Sequence, residues 1–318
     1  MNVSVLCWAA GMTRQNYYHQ RHVREKAQVE EGLILELVRA ERCRQPRLGG
    51  RKLWHLLKRE LQEAGVDVGR DRFLGVLKRH DLLILRRKRA CRTTDSRHGF
   101  RVYANLAKDL VQSGPHELWV SDITYLRTQE GFMYLALVMD AYSRKIVGYD
   151  CSDSLEAVGV RRALKMALAQ LPGEAAVMHH SDRGTQYCCR EHVAMLEEAG
   201  IAISMTQENH CYENAMAERL NGILKQEYGL GETLATAAAA RMLAREAVSL
   251  YNTHRPHTAL GYRCPAEVHA ARACDRCGLG GVMPVAGSLM LAEASVANAT
   301  VLPPPNPQLV LSDDSDKF

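Results

Sequence analysis

The chain has 318 residues, 47 % of them apolar and 24 % charged, which suits a soluble globular protein with one or two modest domains and excludes a disordered or fibrous chain. Its net charge of +5 is unevenly spread: residues 1–100 hold 22 Lys and Arg against 11 Asp and Glu, and residues 101–318 hold 19 against 25. The first third is thus the expected polyanion-binding part.

The ten cysteines follow no disulfide framework and no leader-like segment precedes them, so a reducing cytoplasm is expected. No apolar run approaches the roughly 18 residues of a membrane span.

In chain order, residues 1–92 read as helical, divided into an N-terminal segment (1–40) and a DNA-binding module (41–92). In KLWHLLKREL, Leu53, Leu56, Leu57 and Leu61 recur at helical spacing; the turn AGVDVG follows, and DRFLGVLKRH sets Phe73, Leu74 and Leu77 on one stripe. Two short helices about a glycine turn suit a helix-turn-helix, and the run RRKRACR, with Arg86, Arg87, Lys88 and Arg89, suits phosphate contact.

A polar connector (93–116) leads to a change of period. ELWVSDITYL, FMYLALVMD and RKIVGYDC are three β-rich runs separated by turn signals, an expected antiparallel meander. A helix near 154–170, the strand AAVMHHSD, a helix near 188–199, the strand IAISM and a long helix near 212–228 come next. Three antiparallel strands followed by alternating helices and strands predict an α/β fold with a mixed sheet over 117–230, an order compatible with a ribonuclease H-like fold. Residues 231–272 read as a helical extension and 273–318 as a mostly disordered Pro-rich, acidic tail, its Cys274 and Cys277 taken as free thiols.

Strand alternation puts Val120, Asp122 and Thr124 on one face of WVSDITYL, and a carboxylate in such a strand needs a partner or a metal. Asp182 sits where AAVMHHSD runs out, at the carboxyl end of a strand, where ligand-binding residues gather. In ENAMAERLNGILKQEY, at about 100° per residue, Asn214, Asn221 and Lys225 fall within roughly 60° of Glu218, opposite Met216, Leu220, Ile223 and Leu224. Glu213 suits the helix start and Glu208 a loop. Three carboxylates from two strands and a helix make an oxygen cage for Mg²⁺ or Mn²⁺, suited to in-line phosphoryl displacement, and Lys225 would reach a phosphate on the same side. In HHSDRGTQY, alternation separates the two histidines, leaving His180 to support the acids and His179 to pack. Gln186 and Tyr187 are expected to position DNA, Asp140 to close an Asx turn, and His254, Arg255 and His257 to form a basic loop toward phosphate.

With WVSDITYL, DAYSRKIVGY, HHSDRGTQY, ENAMAERLNGILKQEY and YNTHRPHTALGY in that order, residues 100–270 resemble the DDE transposases of insertion sequences, the OrfB type of the IS-three family, related to retroviral integrases. Residues 1–92 resemble the family's helical modules more loosely. The 35 residues between Asp182 and Glu218 match the family's acidic spacing. The resemblance implies a ribonuclease H-like core with Asp122, Asp182 and Glu218 as ligands of two Mg²⁺ ions, strand cleavage that frees a 3′-OH, and attack of that hydroxyl on another phosphodiester. It also implies element-end and target DNA as partners, a homo-oligomer on DNA, and an OrfA-type partner from an upstream frame. The alternatives are a DNA-binding regulator without catalysis and a structure-specific nuclease of the same fold.

Overall fold

The computed structural model describes residues 2–84, 100–108, 110–173, 176–207 and 215–276, the last five by backbone only. All of them belong to the unit Met1–Leu279. The basic run with Arg86, Arg87, Lys88 and Arg89 lies outside them, as do Glu208, Glu213, Asn214, Cys277 and the rest of the tail.

The basic third is helical: α1 (Val3–Ala9), α2 (Arg14–Arg44), α3 (Gly50–Glu63) and α4 (Arg70–Arg79). Asn2 and Thr13 cap α1 and α2 by accepting from the backbone N–H of Ser4 and Asn16, groups a helix start leaves unpaired. The leucine stripe of α3 (Leu53, Leu57, Leu61) packs on Phe73, Val76 and Leu77 of α4, and Ile34 and Val38 of α2 close the cluster. Between α3 and α4, Gly65 turns the chain at φ 79°, in the left-handed region open to glycine.

The core is a five-stranded sheet in the order β3-β2-β1-β4-β5. β1 (Leu118–Thr128), β2 (Gly131–Asp140) and β3 (Ile146–Ser152) form the antiparallel meander. Helix α5 (Ala157–Leu168) crosses to β4 (Met178–Ser181), which pairs parallel with β1. Helices α6 (Thr185–Cys188) and α7 (Arg190–Glu198) lead to β5 (Ala202–Met205), parallel to β4. The helix expected near 188–199 is α7, and the single turn α6 precedes it.

Alternation divides the strands between two cores. Leu118, Val120 and Leu126 face α8 (Ala215–Glu227) and α9 (Ala237–Thr253), while Trp119, Ala136 and Val138 face α5 and the α6–α7 pair. A Cβ at Gly148 on β3 would lie 2.0 Å from the Ala163 carbonyl oxygen, so the missing side chain is what lets α5 sit down on the sheet. The connector covers the outer edge of β5, where Ser204 Oγ accepts from Leu106 N and Ala104 O from Met205 N. After α9 come a 3-10 turn (Thr258–Leu260) and α10 (Pro265–Arg276). No helix among the described residues is long and apolar enough to cross a membrane.

Candidate active site

Strand register sets the first two acids side by side. Val120 of β1 pairs with His180 of β4 in parallel, so two residues farther along each chain brings Asp122 next to Asp182, just past the carboxyl end of β4. Asp182 Oδ1 accepts from Gly184 N at 2.9 Å, which turns the chain away from the strand. Gly184 fits because even a Cβ there would lie 3.0 Å from that oxygen.

Asp122 is partly buried in the middle of β1, where Oδ1 accepts from Ile123 N at 2.9 Å and Oδ2 from Asn221 Nδ2 at 2.7 Å. Burial, and then the neighbouring Asp182 charge, push its carboxyl up to about 7, with Glu218 adding to the rise and the two hydrogen bonds opposing it. Asn221 Oδ1 is buried without a hydrogen-bond partner.

Glu218 and Lys225 come from α8, whose apolar residues Leu220, Ile223 and Leu224 hold it on the sheet. Glu218 is exposed, and its charge reaches Asp122 without closing a cage: among the described residues no three His, Cys, Asp or Glu side chains stand close enough to hold a metal. Burial pushes the Lys225 ammonium down, and the Asp122 charge opposes that. The acid pair nevertheless suits a hard cation. Its donors are oxygens, the orphaned Asn221 carbonyl is another beside them, and a cation would relieve the repulsion between the two carboxylates.

Both histidines of the strand meet serine hydroxyls. His179 Nε2 and Ser121 Oγ share a hydrogen bond of 2.8 Å on the α5 side, and His180 Nδ1 meets Ser204 Oγ at 2.9 Å. Asp140 closes a turn, accepting from the backbone N–H of His116 and of Ser143.

Three sequence expectations are corrected. Arg255 is not offered to phosphate: it is 1 % exposed and its Nε and Nη2 donate to Glu227 at 2.7 and 2.9 Å. Tyr187 is a core side chain, 2 % exposed, among Trp119, Leu196 and Ile203. His254 turns inward to Glu41. Gln186 is partly buried and its Nε2 donates to the Leu155 carbonyl, so that donor braces the start of α5.

Two residues to which the sequence assigned no role bear on the site and on the helix that carries it. Asn221 was visible one turn from Glu218 on the same face; Glu227, which ends α8 and holds Arg255 and Lys52, carried no local signal.

Residues 112–211 and 199–265 match two families that share the description integrase core domain. An insertion element IS600 protein of 31 kDa from Shigella sonnei is 34 % identical over 82 % of this chain and 96 % of its own length. The transposase for insertion sequence element IS629 of Shigella sonnei is 33 % identical over 85 % of this chain and 92 % of its own. The transposase InsF for insertion sequence IS3A of Escherichia coli is 37 % identical over 54 % of this chain and 60 % of its own. The catalytic core domain of HTLV-2 integrase in complex with magnesium superposes over 49 % of this chain and 98 % of its own, at 17 % identity and a TM-score of 0.41. With the IS600 and IS629 relatives matched over more than nine-tenths of their own length and a mixed five-stranded sheet at the core, the chain belongs to the insertion-sequence transposases of the IS3 family, polynucleotidyl transferases with an integrase core.

Proposed function

We propose that Asp122, Asp182 and Glu218 are the catalytic carboxylates of this transposase and together hold Mg²⁺, or Mn²⁺ in its place. The observation that carries the reading is the adjacency of Asp122 and Asp182 at the β1–β4 seam, with α8 tied to it through Asn221. When bound, two such ions supply Lewis acidity at the scissile phosphate and lower the cost of deprotonating the attacking hydroxyl.

The side chains do the rest. Asn221 fixes the orientation of the Asp122 side chain, whose raised carboxyl would have to be ionised to hold a cation. Lys225, on the same side of α8, receives a non-bridging phosphate oxygen. In the first step a water oxygen attacks phosphorus at the element end and the 3′ oxygen leaves as a hydroxyl. In the second that 3′-OH attacks a target phosphodiester, forming one P–O bond as another breaks, with no net loss of phosphodiesters. Arg86, Arg87, Lys88 and Arg89 are proposed to hold the DNA backbone. The enzyme is further proposed to act as a homo-oligomer on DNA, with an OrfA-type partner supplying end recognition.

Labelled duplexes carrying an element end, incubated with the full chain and Mg²⁺, should be nicked and joined to target DNA. Asp122→Asn, Asp182→Asn and Glu218→Gln should each lower both steps by at least about a thousandfold, because each removes charge that acts in the transition state. Full activity in Asp122→Asn would sink the assignment.

A further inference from the structure

Away from the acid pair, α8 presents another flank to a cavity of about 350 Å³ whose lining includes Lys52 of α3, Arg144 of the β2–β3 turn, Arg219, Arg255 and His257. Lys52 and Arg255 share Glu227; among the described residues Arg144 and Arg219 have no carboxylate within ion-pair distance. The cleft therefore carries positive charge in excess. Arg144 holds a left-handed φ of 64°, unusual for a residue with a side chain, and its Nη1 donates to Met216 Sδ at the start of α8. His257 Nε2 is buried without a partner, and a neutral imidazole can carry there the hydrogen that a phosphate oxygen accepts.

The walls say which anion. One is the helical module, through Lys52; the other is Arg219, the residue directly after Glu218. A DNA strand running from Glu218 past Arg219 to Lys52 would lie along this cleft. We infer that the cleft between α3 and α8 is a phosphate-binding site for the DNA backbone, with Arg144 and Arg219 as its charged contacts and His257 as a neutral donor. It reads no bases, and its role is to fix the course of DNA between the helical module and the acids. The inference rests on the transposase reading for the identity of the polyanion.

The test is binding of a fluorescent element-end duplex to the full chain across a salt series from about 50 to 300 mM KCl. For Arg144→Gln combined with Arg219→Gln, the slope of log K against log salt should become shallower by about two, one for each phosphate contact removed. The double lysine variant should recover most of the slope, since charge and not geometry sets it. An unchanged slope in a double glutamine variant that melts like the wild type overturns the inference. So does inorganic phosphate protecting the wild type against heat through the two arginines while the duplex slope stays the same, which would make the cleft a site for small anions. Cleavage lost in Asp122→Asn reports on the acids alone, so the two readings fail separately.

Discussion

Asn221 on α8 donates to Asp122 on β1 at 2.7 Å, joining the helix that carries Glu218 to the strand that carries the first acid. Truncation in Asn221→Ala frees the Asp122 carboxylate to rotate, and loss of a partner that orients a ligand commonly costs about 10- to 100-fold in metal affinity or activity. Cleavage measured against Mg²⁺ concentration should show the metal requirement rising, with activity recovered in part at high Mg²⁺. A loss that no amount of Mg²⁺ relieves would mean that Asn221 acts on the DNA instead.

The raised carboxyl of Asp122 gives stability a pH dependence. Between 3.8, its ordinary value, and about 7, the native group holds a proton that the unfolded chain has released. The native state binds more protons there, so this group's contribution to stability falls as pH rises through that window and stays lost above it. Asp122→Asn should therefore melt higher than the wild type at about pH 8, with the difference shrinking toward pH 4. Mg²⁺-dependent cleavage by the wild type should decline as pH drops through about 7, because the cation competes with the proton for the same oxygens. Equal melting curves at both ends of the range would contradict this.

Glu227 is a partly buried hub: Arg255 holds it with two bonds, and Lys52 reaches it from α3 at 3.2 Å. Removing the carboxylate in Glu227→Ala strands the Arg255 guanidinium, whose side chain is 2 % exposed, and breaking a buried pair this way costs about 3–5 kcal/mol. Chemical denaturation should show that loss. It should also show α3 and its neighbours loosening first in hydrogen exchange, because Lys52 loses its anchor on the core.

Tyr187 separates packing from function. Its hydroxyl is buried without a partner, and burial together with the charges of Asp122 and Asp182 holds its proton on firmly. Tyr187→Phe should leave cleavage within about twofold and match or raise the melting temperature, since an unpaired buried hydroxyl is a cost. Tyr187→Ala should cost about 3–5 kcal/mol through the cavity it opens. Strong loss of DNA cleavage in Tyr187→Phe would restore a functional role for the hydroxyl.

What could be read from the sequence was what local periodicity encodes. Alternation put Asp122 and Ser121 on opposite faces, and in the sheet Asp122 meets Asn221 while Ser121 meets His179. The helical wheel that grouped Glu218 with Asn221 and Lys225 agrees with the side of α8 that meets Asp122. What escaped were long-range pairings. Arg255 looked like a phosphate contact because its partner lies 28 residues upstream and that partner's other cation, Lys52, a further 175. Tyr187 sits in a polar-looking stretch, and only its place in the core cluster with Trp119 and Leu196 shows why it is buried. Charge in a sequence is visible; its compensation is a property of the fold.

Helix α2 has one more consequence. Its first buried residue is Ile34, and Tyr18, Val23 and Val29 are exposed along the stretch before it. From Arg14 to Val29 the helix rises about 24 Å at 1.5 Å per residue before it meets the bundle. It is a stalk: α1 is carried at a set distance from the chemistry, and shortening α2 by whole turns would change the reach of the enzyme without touching what holds it together.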